Sequence, residues 1–114
     1  MHEMTIARQI VGIVEETLST HPNTICTTVH IKIGEMRAII PESLNFAYQA
    51  IIQGTRLSQS KLVITSVPVM ARCHSCQKQM HIRDFEFLCS ACHSQDLEIM
   101  EGRELHVEKL EVET

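Results

Sequence analysis

Four of the chain's five cysteines fall in two close pairs, Cys73-His-Ser-Cys76 and Cys89-Ser-Ala-Cys92, separated by twelve residues. Cysteines three apart can point into one centre when the backbone turns tightly between them. Two such turns at the ends of a short β-hairpin complete a tetrahedron of sulfur. The segment that carries them, residues 69–101, has only scattered apolar residues. A stretch of about thirty residues cannot bury enough surface to fold on apolar contacts alone. It needs a staple, and a metal is the one available. Zinc is favoured over an iron–sulfur cluster or rubredoxin-type iron for a small site of this pattern. A complete tetrathiolate has no open position for water, so the site is expected to be structural and not catalytic. Disulfides would need an oxidising compartment, and nothing in the chain indicates export. Cys89-Ser-Ala-Cys92-His93 also matches a covalent haem-attachment pattern, but that reading leaves Cys73 and Cys76 idle.

The flanking sequence reads as an α/β body. Ile6, Ile10, Ile13, Val14 and Leu18 recur at helical spacing over residues 4–18, with Arg8, Gln9, Glu15 and Glu16 on the other side. Residues 26–33 switch to period two: Val29, Ile31 and Ile33 face one way, Thr28, His30 and Lys32 the other. Cys26, at the start of this strand, is expected to be a small core or edge residue. Pro41 fits the first turn of a second helix, where its missing N–H costs nothing. Leu44, Ala47, Tyr48 and Ile51 form that helix's expected stripe, and Gly54 follows its end. Residues 61–67 predict a second strand closed by Pro68, and residues 104–112 a third, with a bulge or twist between Val107 and Leu110. The expected fold is therefore α/β: a small three-stranded sheet with two helices, formed by residues 1–68 and 102–114, interrupted by a four-cysteine zinc ribbon at residues 69–101.

Charge narrows the function. Ten basic residues against fourteen acidic ones leave the chain at −4, the wrong sign for a general nucleic-acid binder. The ribbon alone holds three basic and five acidic residues, a net of −2. A zinc-ribbon interaction or nucleic-acid module, and a thiol redox switch built on low-pKa cysteines, are the rival classes. No run approaches the ~18 apolar residues of a membrane span. The opening MHEMTIARQI carries Glu3 and Arg8, unlike a secretory signal. The cytoplasm is the expected compartment.

The first three residues, Met1, His2 and Glu3, have their own chemistry. The His2 Nδ1 and the His2 backbone nitrogen can chelate one metal in a six-membered ring, and the Met1 amine or the Glu3 amide can add a five-membered ring beside it. Nitrogen-rich planar sites of this kind suit Ni(II) or Cu(II) and do not suit Zn(II). Methionine removal is inefficient before a residue as large as histidine, so His2 is expected to stay second. His74 and His93 lie within or beside the cysteine pairs, where either could hydrogen-bond a thiolate. His30 and His106 are expected on the outer sheet surface, His21 in a loop and His81 in the ribbon hairpin.

The start MHE, the helix after it, the strand ending IKIGEM, the segment PESLNFAYQAIIQGT and the paired cysteines together resemble the HypA family across essentially the whole chain. Members are nickel-incorporation proteins for maturation of NiFe hydrogenase. The resemblance implies a metallochaperone with no catalytic residues, which transports Ni(II) and keeps a structural Zn(II). His2 matches the family's nickel-binding histidine, with Glu3 next in the motif. Cys73, Cys76, Cys89 and Cys92 match its zinc ligands. A HypB-type GTPase and the hydrogenase large subunit are the implied partners, with urease served in some organisms.

Overall fold

The computed structural model describes residues 2–114. Along the chain it forms helix α1 (Glu3–Leu18), strand β1 (Ile25–Gly34), a single 3-10 turn (Glu35–Arg37), helix α2 (Pro41–Ile52) and strands β2 (Lys61–Val67), β3 (Val69–Cys73), β4 (Gln79–Ile82), β5 (Leu97–Glu101) and β6 (Leu105–Glu113). Two three-stranded sheets result, ordered β2-β1-β6 and β4-β3-β5. The chain divides into two compact units. One comprises the residues up to Lys32 with Ile39–Thr65 and Leu105–Thr114; the other comprises Ile33–Ala38 and Ser66–Glu104.

In the first unit the last strand returns to the first. The Thr27 hydroxyl donates to the Glu111 carbonyl at 3.2 Å, and Lys32 Nζ lies 3.6 Å from the Glu108 carboxylate, so β1 and β6 run in opposite directions. Their burial phase slips at Glu108 and Lys109: Leu105, Val107 and Leu110 are half-buried, with exposed residues between them. Helix α1 buries Ile6, Ala7, Ile10, Val14 and Leu18. Ile13 belongs to the expected stripe but is exposed, because at 100° per residue it falls at the stripe's edge while Ala7 falls inside it. On α2 the buried set is Leu44, Ala47, Tyr48 and Ile52. Ile51, expected in that stripe, is only half-buried, and Ile52 replaces it one position further around the helix. Thr28, expected on the outer face of β1, is buried. The strand has a hydrogen-bonded neighbour on each side, and both Thr28 and Val29 are covered, so strict alternation fails there.

Two polar groups inside this unit are matched. The Ser60 hydroxyl donates to the Leu57 carbonyl at 2.7 Å, which leaves its oxygen to accept from the buried Tyr48 hydroxyl at 2.6 Å. Arg56 reaches the carbonyls of Leu18, His21 and Thr24 at 3.0–3.3 Å, placing a cation where the α1 dipole is negative. Cys26 is buried as expected, and that burial pushes its thiol pKa up.

The second unit is built on β3, which pairs antiparallel with both neighbours, Met70 facing His81 on β4 and Arg72 facing Glu98 on β5. Val69, Ala71, Cys73, Met80, Ile82 and Cys89 form its core, with Met36, Phe87, Leu97 and Ile99 packed against it. The segment Ile33–Ala38, adjacent in sequence to the other unit, is held here by backbone. Gly34 N–H donates to the Glu104 carbonyl and Met36 N–H to the Gly102 carbonyl, both at 2.8 Å. Arg37 Nε adds bonds to the carbonyls of Arg103 and Glu104 at 2.9 and 3.1 Å. The crossing leaves no room for side chains. A Cβ on Gly34 would overlap the Gly102 carbonyl, and one on Gly102, whose φ is 117°, would sit 2.7 Å from Val69 Cα. The Gly34→Ala change therefore meets backbone on its far side and cannot be absorbed by a rotamer. A loss of about 3 kcal/mol or more is expected in denaturant unfolding, with hydrogen exchange in the second unit rising first.

Candidate metal centre

Each cysteine pair closes its own backbone turn, and the two turns are built alike. Cys73 N–H donates to the Lys78 carbonyl at 2.9 Å and Gln77 N–H donates back to the Cys73 carbonyl at 2.8 Å. In the second turn Cys89 N–H donates to Ser94 and His93 N–H to Cys89, both at 2.9 Å. The fourth residue after the first cysteine is left-handed in each case, Gln77 at φ 67° and His93 at φ 62°. Neither is glycine, so the conformation carries a modest steric cost that the two hydrogen bonds of each turn offset.

The two turns bring four sulfurs together, all within 4.8 Å of one another. Cys73 Sγ to Cys92 Sγ and Cys76 Sγ to Cys89 Sγ are each 3.6 Å. A zinc tetrahedron with bonds of about 2.3 Å has sulfur–sulfur edges of about 3.8 Å, so the donor set and its spacing fit that ion. All five cysteines are free thiols, with no disulfide among them. Among the described residues this is the one group of three or more histidine, cysteine or acidic side chains with metal-binding spacing.

Burial and charge repeat the pairing. The first cysteine of each pair, Cys73 or Cys89, is buried, and the second, Cys76 or Cys92, is exposed. Backbone N–H groups of Cys92 and Ala91 bring the Cys89 thiol down to about 6, and the N–H of Cys76 lowers Cys73. The second cysteines move the other way. A backbone N–H from Lys78 favours the Cys76 thiolate, yet the Cys89 sulfur beside it raises its pKa. Ser94 N–H likewise favours the Cys92 thiolate, but Cys73 and Cys89 push it up to about 12. Four thiolates this close repel one another; a divalent cation at their centre removes that repulsion and deprotonates all four.

The histidines around the cluster do not touch the sulfurs. His74 turns its Nδ1 to Asp96 Oδ1 at 3.0 Å, and its backbone N–H donates to the Asp96 carbonyl at 2.9 Å, tying the first turn to the start of β5. His93 is exposed. What reaches the sulfurs is backbone: the N–H groups of Ala91 and Cys92, for example, each lie 3.4 Å from Cys89 Sγ. The segment expected to form a hairpin is strand only over β4; beyond Ile82 it turns away, and the other neighbour of β3 is β5, after the second cysteine pair.

At the opposite extreme of exposure, His2 is the N-cap residue of α1, at φ −83° and ψ 140°, with no side-chain capping bond. Its carbonyl accepts the Ile6 N–H at 3.2 Å. Glu3 opens the helix and its carboxylate lies 3.5 Å from the Ile40 N–H. Met1 lies outside the described residues. No sequence signal anticipates that Glu3 meets Ile40, thirty-seven positions away.

The fold and the four-thiol cluster define a small α/β metal-site protein with a thiolate ribbon. Residues 1–112 match the family model described as hydrogenase/urease nickel incorporation, metallochaperone, HypA. The hydrogenase maturation factor HypA of Desulfosudis oleivorans is 38% identical over 113 residues, covering 98% of each chain. That of Desulfatibacillum aliphaticivorans is 36% identical over 113 residues, 98% of this chain and 87% of its own. The solution structure of the Ni metallochaperone HypA from Helicobacter pylori superposes with a TM-score of 0.69 over 97% of each chain, at 22% identity, which shows the shared fold. The chain belongs to the HypA family, whose role is nickel incorporation in hydrogenase maturation.

Replacing Cys76 with Ser removes one corner of the tetrahedron and leaves a buried thiolate pair facing no cation. Metal content by mass spectrometry is expected to fall well below one ion per chain, and amide exchange to rise across residues 73–96. The first unit, which has its own core of Ile6, Ile10, Val29, Ile31 and Leu44, is expected to keep its protection.

Proposed function

We propose that the chain carries Ni(II) at its N-terminus and keeps Zn(II) in the ribbon as a structural ion. The nickel donors in this reading are the His2 imidazole, the His2 backbone nitrogen and a neighbouring nitrogen from Met1 or Glu3. The observation that carries it is the position of His2: exposed, at the N-cap of α1, with a side chain engaged in no capping bond. The first N–H groups of a helix have no intrahelical acceptor. A metal that displaces the Glu3 amide proton therefore breaks no helical hydrogen bond. The Ile6 bond to the His2 carbonyl survives too, because that carbonyl is on the helix side of the His2 ψ torsion.

The same torsion separates the two donor choices. A five-membered chelate through His2 N and Glu3 N needs those nitrogens on one side of the Cα–C bond, and ψ 140° holds them on opposite sides. Using Glu3 requires His2 to rotate toward helical ψ. Using the Met1 amine leaves His2 as it is. Either set is a shallow, planar nitrogen site with open positions, which supports capture followed by hand-over to an incoming ligand.

Zinc, when bound, supplies a four-way cross-link between two turns of a segment too small to hold itself together. Cys73, Cys76, Cys89 and Cys92 would hold it; with all four positions filled, no catalytic position remains, in keeping with a carrier and not an enzyme. In this reading residues 1–68 with 102–114 act as the nickel-binding part and residues 69–101 as the zinc ribbon. The partners are a HypB-type GTPase and the hydrogenase large subunit, or urease, and not nucleic acid or a membrane. No described helix is long and apolar enough to cross a membrane; cytoplasmic residence is part of the proposal.

Calorimetric titration of nickel into zinc-loaded protein tests it. His2→Ala is expected to weaken nickel binding at least about tenfold, equivalent to 1.4 kcal/mol, with zinc content and melting unchanged. A few residues added before Met1 weaken binding if the amine is a ligand and matter little if the Glu3 amide is. Glu3→Gln has the smaller effect if Glu3 contributes backbone. Parent-like binding by the His2 variant would place the site elsewhere and end this reading.

A further inference from the structure

A cavity of about 170 Å³ in the second unit is lined by Glu35, Val69, Ile82, Asp84, Phe85 and Phe87. None of these residues belongs to the four-thiol cluster or to the N-terminal motif. Val69 and Ile82 are buried core residues and give the cavity an apolar base. The Phe85 and Phe87 rings are 6.3 Å apart at 57°, so they present two differently inclined faces. The two remaining lining residues are acids, and no lysine or arginine lines the space. Asp84 has no hydrogen-bond or ion-pair partner among the described residues; Glu35 has His81 Nε2 at 3.3 Å.

Phe85 stands there by backbone conformation. Asp84 and Phe85 are both left-handed, at φ 54° and 58°, inside a turn closed by the Glu86 N–H on the Arg83 carbonyl at 3.0 Å. Aspartate tolerates that region, but a bulky residue rarely enters it. The turn nevertheless leaves Phe85 54% exposed and does not fold it into the core.

We propose that this cavity receives the side chain of a lysine or arginine presented by a partner protein. The charge pattern selects that occupant. Aromatic faces attract a cation through the ring quadrupole, the two carboxylates add opposite charge, and the aliphatic stem of a basic side chain lies along Val69 and Ile82. An apolar side chain would leave both acids facing hydrocarbon, and an acidic one would be repelled.

The probe is Nα-acetyl-lysine methylamide, with the arginine counterpart, titrated to about 50 mM into the nitrogen-15-labelled full chain as purified. Nα-acetyl-norleucine methylamide, the same stem without the charge, is the control. Saturable amide shifts are expected at Glu35, Asp84, Phe85 and Phe87. The ligand's terminal methylene protons are expected to move upfield from the ring currents, and norleucine to do neither. Asp84→Asn keeps a residue that tolerates the left-handed turn and removes the charge; about threefold weaker binding is expected. Phe85→Leu is expected to abolish most of the upfield movement. The proposal fails if norleucine shifts the same amides, if the basic probes shift no amide at the cavity saturably or shift acidic residues across the whole surface alike, or if Asp84→Asn binds as tightly as the parent.

Discussion

Convergence of four sulfurs is the constraint on which the second unit rests. Its core is six buried residues, and two of them, Cys73 and Cys89, are themselves members of the cluster. Between β4 and β5 the chain runs fourteen residues without a strand, and the second cysteine turn lies in that stretch. A segment so poor in apolar contact has little to oppose its conformational entropy. The turns supply local order through paired backbone bonds, and the cluster ties the two turns to each other. Remove the reason for the sulfurs to meet, and β3 keeps neighbours but the loops between them lose their anchor.

Much of this could be read from residue order, because the signals were local. The helix boundaries follow from period 3.6, Pro41 marks the first residue of α2, and KLVITSV is β2 to the residue. The return of the last strand to the first sheet followed from a common need for apolar cover. What escaped were facts set by distant partners. Nothing in GEMR announces that the stretch after β1 pairs with Gly102 and Glu104, since a glycine at a strand end reads equally well as a simple stop. Ile13 and Ile51 sit at the margins of their stripes, and apolar character alone did not separate them from the fully buried members. The left-handed Gln77 and His93 carry no glycine to mark them, and even His93, of a type that enters that region more readily than most, does so too seldom to be read from sequence.

The candidate site divides in the same way. Four cysteines at the right spacing name their own chemistry, and their mutual distances follow. The split between the members of each pair does not: every sulfur faces a backbone N–H, and which of them its neighbouring sulfurs push up is decided only when the two turns meet. In the proposed nickel site the sequence supplies the donor atoms of His2, whereas the torsion on which the choice between Met1 and Glu3 would turn is a property of the helix start.

The alternation of buried and exposed cysteines gives the cluster a front and a back. Cys76 and Cys92 face solvent while Cys73 and Cys89 are enclosed. A chelator or an oxidant arriving from solution meets one sulfur of each turn first, and those two come from different turns. Dismantling from outside would thus loosen both loops together at their outer corners, leaving the inner thiols, Cys73 at the end of β3 and Cys89 in the core, enclosed. Reassembly after such an attack begins from a half-built nest and not from an open chain, which is a repair property that a cluster enclosed on all sides, or exposed on all sides, would lack.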